Sequence, residues 1–270
     1  MADAPGGAGV SPIVLIAPAM AIGSGYYRPL IEAFETRHWQ ARALGRRGFE
    51  KSQPRASRVA DWSYDDEIGD IAAAVTAARA ERPDRPVVIL GHSLGGQLAV
   101  GHQLMHPPAD GVVTVGGAIP YYRHFRAGGV AIATMAALIV PLATAVLGYV
   151  PKPAFGGPGA RTLMREWAHM VLTGRPPFRA DTRIGTPALI VSLEGDHMSP
   201  VAAVDELAAR LFRQVNVTRW HYANNQVCPG ASNDHITWVR APQRVVDEVL
   251  RWWNDGQVGS VGITVDLDLV

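Results

Sequence analysis

The chain has 270 residues, 48% of them hydrophobic and 18% charged, with 25 Lys and Arg against 24 Asp and Glu. A net charge of +1 excludes the broad field that draws a protein to nucleic acid, and the composition is that of a globular protein with a sizeable core. The single cysteine, Cys228, excludes an intrachain disulfide, so the cytosol is the expected compartment.

The first residues, Met1 to Gly7, lack the basic and apolar regions of a secretory signal and read as a flexible leader. Ile13 to Ala17 is a continuous apolar run, as in a strand buried on both faces, and Pro18 to Gly25 is a loop. Leu30, Ile31 and Phe34 recur at helical spacing between Tyr26 and His38, and Trp39 to Leu44 suits a second strand. The polar stretch from Gly45 to Arg58 carries Arg42, Arg46, Arg47, Lys51, Arg55 and Arg58 in or beside it, and is read as a solvated loop. A helix is expected from about Tyr64 to Ala80, ended by Pro83 and Pro86; then come the strand Val87 to Leu90 and the helix Leu94 to Met105.

Val112 to Val115 is the next strand, after which the pattern changes to an aromatic, apolar region reaching about Asp181. Alternation resumes with the strand Ala188 to Val191, a helix from about Val201 to Leu211, a strand from Val215 to Tyr222 and a helix from Pro242 to about Asn254. Repeated strand–helix units imply an α/β fold with a mainly parallel, doubly wound sheet. The division expected is residues 1–118 and 182–270 as two parts of one core, with 119–181 inserted between them. Partial alternation in Val261 to Asp268 suggests an edge strand, with a disordered or dimerising tail, and hence a homodimer, as the alternatives.

Gly91-His92-Ser93-Leu94-Gly95 matches G-x-S-x-G between a buried strand and a helix, the context in which that motif exposes a serine hydroxyl on a sharp turn. Ser93 is the candidate nucleophile. A serine needs a base; His92, His102, His106 and His221 sit on or beside regular elements, whereas Asn233-Asp234-His235 supplies a histidine from a late loop, leaving His197 and His221 in reserve. The carboxylate that orients the imidazole should follow a late strand, and Asp196 does so, with Glu194 and Asp234 as competitors. Backbone donors for an oxyanion are expected from Leu94 and from the loop after the first strand, where Pro18 has no N–H and Ala19 or Met20 remains. No metal-ligand spacing, P-loop or dinucleotide fingerprint occurs, so neither cofactor nor metal is expected.

These residues resemble the α/β-hydrolase superfamily from the first strand to the last helix: Gly91 to Gly96 is similar to its elbow, Gly195-Asp196 with Pro200 to its acid loop, and Asp234-His235 to its histidine loop. Asp61 to Tyr64, Gly148 to Pro151 and Met164 to Trp167 are further similar to bacterial predicted hydrolases of undefined substrate. The resemblance implies an eight-stranded sheet with helices on both faces and a helical lid after Val115, while Ala17-Pro18-Ala19 departs from the His-Gly common in the family. The expected activity is hydrolysis of a small apolar carboxylic ester through an acyl-enzyme. Acyl transfer, cyclisation by a thioesterase, and ligand binding without catalysis are the alternatives.

No charge occurs between Arg126 and Lys152, a length able to span a bilayer, yet Gly128-Gly129, Pro141 and Gly148 are expected to divide it into short helices. A single span would also place Ser93 across a membrane from Asp196 and His235, so no membrane span is expected. As a lid, the segment would set Ile132, Met135, Leu138, Ile139, Leu142 and Val146 over the serine, with Tyr121, Tyr122 and His124 at the entrance.

Overall fold

A computed structural model describes residues 10–126, 128–152 and 155–260. Its centre is a six-stranded, wholly parallel sheet in the order β2-β1-β3-β4-β7-β8. The strands are β1 (Ile13–Ala17), β2 (Gln40–Ala43), β3 (Val87–His92), β4 (Gly111–Val115), β7 (Ala188–Leu193) and β8 (Val217–Tyr222). The remaining two strands, β5 (Tyr149–Val150) and β6 (Gly159–Ala160), pair antiparallel apart from it, so the sheet has six strands among the described residues where eight were expected. The edge strand expected at Val261 to Asp268 lies outside the described residues.

The continuous apolar runs of β1, β3 and β4 follow from burial on both faces. Because side chains alternate along a strand, Ile13, Leu15, Val87 and Ile89 belong to one core and Val14, Ile16, Val88 and Leu90 to another. The first core packs under α2 (Tyr64–Glu81), α3 (Leu94–Met105) and α7 (Val201–Leu211); the second lies under α1 (Arg28–Glu35) and α8 (Gln243–Ser260). At the start of α2, Ser63 and Asp66 form a reciprocal capping box, worth about 1 kcal/mol.

The chain moves from β1 outward to β2, then returns to the other side of β1 as β3. This reversal opens a crevice at the carboxyl ends of β1 and β3, where open α/β sheets bind ligands.

Between β4 and β7 the chain leaves the sheet. Here α4 (Gly129–Thr134), the wide turn Met135–Ile139 and α5 (Val140–Val146) form one helical run, followed by the β5–β6 ribbon and α6 (Arg161–Thr173). Pro141 therefore does not divide the segment. It lacks an N–H and its ring crowds the carbonyl four residues back, and the helix absorbs this by widening, with Val140 N–H donating to the Met135 carbonyl five residues earlier.

Candidate active site

Ser93 sits between the end of β3 and the first residue of α3 with φ 53° and ψ −117°, a left-handed conformation for a residue with a side chain. Such a backbone costs of order 1–3 kcal/mol and persists only where its surroundings hold it. The holding is visible: Ser93 N–H donates to the Val115 carbonyl at 2.9 Å, and its own carbonyl accepts from the amides of Gly96 and Gln97. Gly95 permits the tight crossing of helix and strand, since a Cβ there would lie 2.0 Å from the Ala17 carbonyl oxygen.

The histidine and carboxylate singled out from the sequence meet this serine. His235 Nε2 lies 2.8 Å from Ser93 Oγ, and its Nδ1 lies 2.6 Å from Asp196 Oδ2. Asp196 is buried after β7, and its other oxygen accepts from the amides of Met198 at 2.7 Å and Ser199 at 2.8 Å. Four polar atoms are thereby aligned from carboxylate to hydroxyl. Gly116, with φ 62°, closes over them; a Cβ there would stand 3.1 Å from Asp196 Oδ2 and 3.3 Å from His235 Nδ1.

The competing groups are engaged elsewhere. Glu194 is exposed and accepts from Asn224 N–H, His197 is exposed, and His221 Nδ1 is 3.0 Å from Ser192 Oγ. Asp234 accepts from Ser232, Ile236 and Thr237 and so fixes the turn that carries His235. Burial alone would raise the Asp234 pKa, but these hydrogen bonds outweigh it and hold the carboxyl well below its ordinary range.

A second line of hydrogen bonds, with no signal in the sequence, runs behind the first. Ala19 N–H donates to Tyr27 Oη at 2.7 Å, and Tyr27 Oη lies 2.8 Å from His92 Nδ1. His92 Nε2 lies 2.6 Å from the His235 carbonyl, with Trp238 edge-on to the His92 ring. Burial, then the neighbouring His235, pushes the His92 pKa down to about 3, so the ring is neutral and carries one N–H. Because the His235 carbonyl only accepts, the donors along this line run from Ala19 N–H to Tyr27, from Tyr27 O–H to His92 Nδ1 and from His92 Nε2–H to His235, with Trp238 Nε1 standing 3.3 Å from His92 Nε2 at its side. The loop after β1 and the histidine loop are thus tied through one buried tyrosine and one buried histidine.

The loop after β1 has a further anchor. Arg46, expected in a solvated loop, is instead buried, paired with Glu67 and donating from Nη2 to the Pro18 carbonyl at 2.6 Å. Glu67 also accepts from Trp62 Nε1 at 2.9 Å, which satisfies its second oxygen. Ala19 N–H is committed to Tyr27, whereas no described residue accepts from the amides of Met20 or Leu94, and both residues border the cavity over Ser93.

That cavity measures about 650 Å³ and is mainly apolar, with Ile22, Phe125, Ile132, Met135, Phe155 and Trp167 on its walls and Ser93 and His235 at its base. Among the expected contacts, Met135 lines it and Leu138 does not; Leu138 is 62% exposed on the outer face of the helical run. Ile139, Leu142 and Val146 are exposed likewise. Tyr121, Tyr122 and His124 pack on one another, with Arg123 over both tyrosine rings, and it is Pro120 and Phe125 on either side that reach the cavity. Among the described residues no group of His, Cys, Asp and Glu could hold a metal ion.

Residues 9–166 match the family model described as serine aminopeptidase, S33. The chain belongs to this family of α/β hydrolases. As an S33-family hydrolase it is similar in fold to monoacylglycerol lipase from Paleococcus ferrophilus, with 18% identity, a TM-score of 0.58, and 90% of this chain and 96% of that one covered. It also resembles a lipase-esterase related protein from Clostridium acetobutylicum, with 12% identity, a TM-score of 0.59 and coverage of 90% and 95%. An enol-lactonase from Burkholderia xenovorans gives 17% identity, a TM-score of 0.56 and coverage of 91% and 92%. At these identities the likeness shows the shared hydrolase fold. No curated protein sequence matches the S33-family chain.

Proposed function

We propose that this hydrolase cleaves a carboxylic ester with an apolar acyl or alcohol part, using Ser93 as nucleophile, His235 as general base and Asp196 as the group that orients the imidazole. The observation that carries this reading is the hydrogen-bonded line from Asp196 through His235 to Ser93 at the base of an apolar cavity. Ser93 Oγ attacks the acyl carbon as His235 Nε2 takes its proton, and Asp196 stabilises the resulting imidazolium through Nδ1–H. The oxyanion is bound by the Leu94 and Met20 amides, each worth about 2.7–4 kcal/mol in comparable enzymes. His235 then protonates the departing alkoxide, and water repeats the sequence on the acyl-enzyme.

The excursion between β4 and β7 acts as the lid that dries this reaction, with Ile132 and Met135 facing the acyl group. An ester is favoured over a peptide N-terminus because no Asp or Glu is found among the described residues lining the cavity, leaving an α-ammonium group without a partner. The exposed thiol of Cys228 fits the reducing cytosol. The test is a panel of p-nitrophenyl esters of increasing chain length with wild type, Ser93→Ala and His235→Gln. Turnover that prefers apolar acyl chains over acetate and vanishes in Ser93→Ala is expected, and turnover that survives Ser93→Ala overturns the assignment. Product analysis with added alcohols separates hydrolysis from acyl transfer.

A further inference from the structure

We propose that the outward face of the α4–α5 run docks on an anionic lipid surface, with the helix lying on the membrane and not crossing it. The run Gly129–Val146 is long and apolar enough to span a bilayer, yet only 22% of it is buried in the protein. Val130 is 80% exposed, Leu138 62%, Leu142 64% and Val146 59%. Ala137, Leu138, Pro141, Leu142 and Val146 recur three and four apart and form one apolar stripe, and Val130 stands about two turns earlier with the exposed Thr134 between. Val59, 94% exposed, extends the patch beyond the helix end, because its neighbour Arg58 donates to the Val146 carbonyl at 2.6 Å. A contiguous apolar surface of this kind marks an interaction site.

The charges around it identify the occupant. Arg123 and Arg126 are exposed before the start of the run, and Arg58 and Lys152 are exposed at or beyond its end, with no carboxylate in the sequence between Arg126 and Lys152. Apolar side chains flanked at both ends by cations suit acyl chains below and anionic headgroups around. A second copy of the chain fits less well: two-fold packing over this face would bring one cationic end against another.

A crossing is ruled out by what the inner side of the same helix does. Ala136, Val140 and Thr144 are buried against the body, Thr144 Oγ1 accepts from Arg165 Nε at 2.8 Å, and Ile132 and Met135 line the cavity. Pulling the run into a bilayer would strip all of these contacts and carry Arg165 toward hydrocarbon. One helix therefore has two apolar sides, one toward the cavity and one toward the lipid.

The experiment is co-sedimentation of full-length Ser93→Ala protein with vesicles, so that the chemistry assigned to Ser93 has no part in the readout. Vesicles of phosphatidylcholine with roughly 30 mol% phosphatidylglycerol should bind the protein, and phosphatidylcholine alone at least about tenfold more weakly. Leu138→Asp/Leu142→Asp should lose at least about tenfold in affinity for the anionic vesicles while remaining monomeric and folded by circular dichroism. Arg123→Gln/Lys152→Gln, which leaves the apolar stripe intact, should weaken binding and flatten its salt dependence. Absence of binding, binding unchanged by both variants, a dimer that dissociates in Leu138→Asp/Leu142→Asp, or membrane association that resists carbonate extraction would each overturn the proposal.

Discussion

Removing one oxygen, in Tyr27→Phe, tests whether the buried line behind the active site holds it in shape. Tyr27 is fully buried, and its hydroxyl both accepts from Ala19 N–H at 2.7 Å and reaches His92 Nδ1 at 2.8 Å. Phenylalanine keeps the ring and leaves both groups without a partner. A buried polar group stranded in this way costs about 1–3 kcal/mol, so two set a ceiling of about 6 kcal/mol, and partial relaxation brings the expectation to about 2–4 kcal/mol. For a domain of this size that lowers Tm by roughly 5–10 °C. The freed loop carries the Met20 amide and the other end of the line carries His235, so part of the loss should reach the transition state. If about 1.4 kcal/mol does, kcat falls tenfold with KM little changed. Urea denaturation and steady-state kinetics on a short p-nitrophenyl ester measure the two effects. A variant with wild-type stability and wild-type kcat refutes the reasoning, and a rise in KM alone shows that the tyrosine shapes substrate binding instead of the catalytic groups.

Asp196→Asn should cost on the order of 10⁴-fold in kcat with the fold intact, since the amide favours the wrong imidazole tautomer; stopped-flow or discontinuous ester assays at high enzyme concentration check it. Met135→Trp should shorten the longest acyl chain accepted, whereas Leu138→Trp, on the outer face, should leave the chain-length profile unchanged in detergent-free assay of a soluble ester. Arg46→Met should lose about 3–5 kcal/mol by leaving Glu67 buried and unpaired, and Arg46→Met/Glu67→Leu should regain most of it in chemical denaturation. His92 and His102 have pKa values lowered by burial from 6.5 to about 3 and about 4, so the unfolded chain binds protons that the native one does not. Stability from this source is fully present above about pH 6.5 and lost as pH falls toward 4 and 3, and His92→Asn should flatten the Tm profile across that window.

Strands and helices were legible because their burial is regular: the apolar runs at β1, β3 and β4 and the G-x-S-x-G turn between β3 and α3 need only local pattern to be read. That Asp196 and His235 would meet Ser93 was reachable because late loops at the carboxyl ends of strands converge on the same crevice. What escaped depends on contacts distant in sequence. Nothing local says that Arg46 will leave its polar loop for Glu67, or that Tyr27 will occupy the Ala19 amide and so leave Met20 as the donor beside the cavity. The run from 129 to 146 is apolar on nearly every side, so its periodicity cannot choose which face meets the protein: of the six residues expected over the serine, Ile132 and Met135 line the cavity, while Leu138, Ile139, Leu142 and Val146 are exposed. The expected eight-stranded sheet came from resemblance; six strands pair in the sheet, and β5 and β6 stand in the excursion.

Ser93 as nucleophile with His235 as its base is tested by mass-spectrometric mapping of the adduct left by a fluorophosphonate. One adduct is expected, on the peptide containing Ser93, absent from Ser93→Ala and formed far more slowly in His235→Gln. An adduct on another serine, or ester turnover by a protein that forms none, contradicts that assignment.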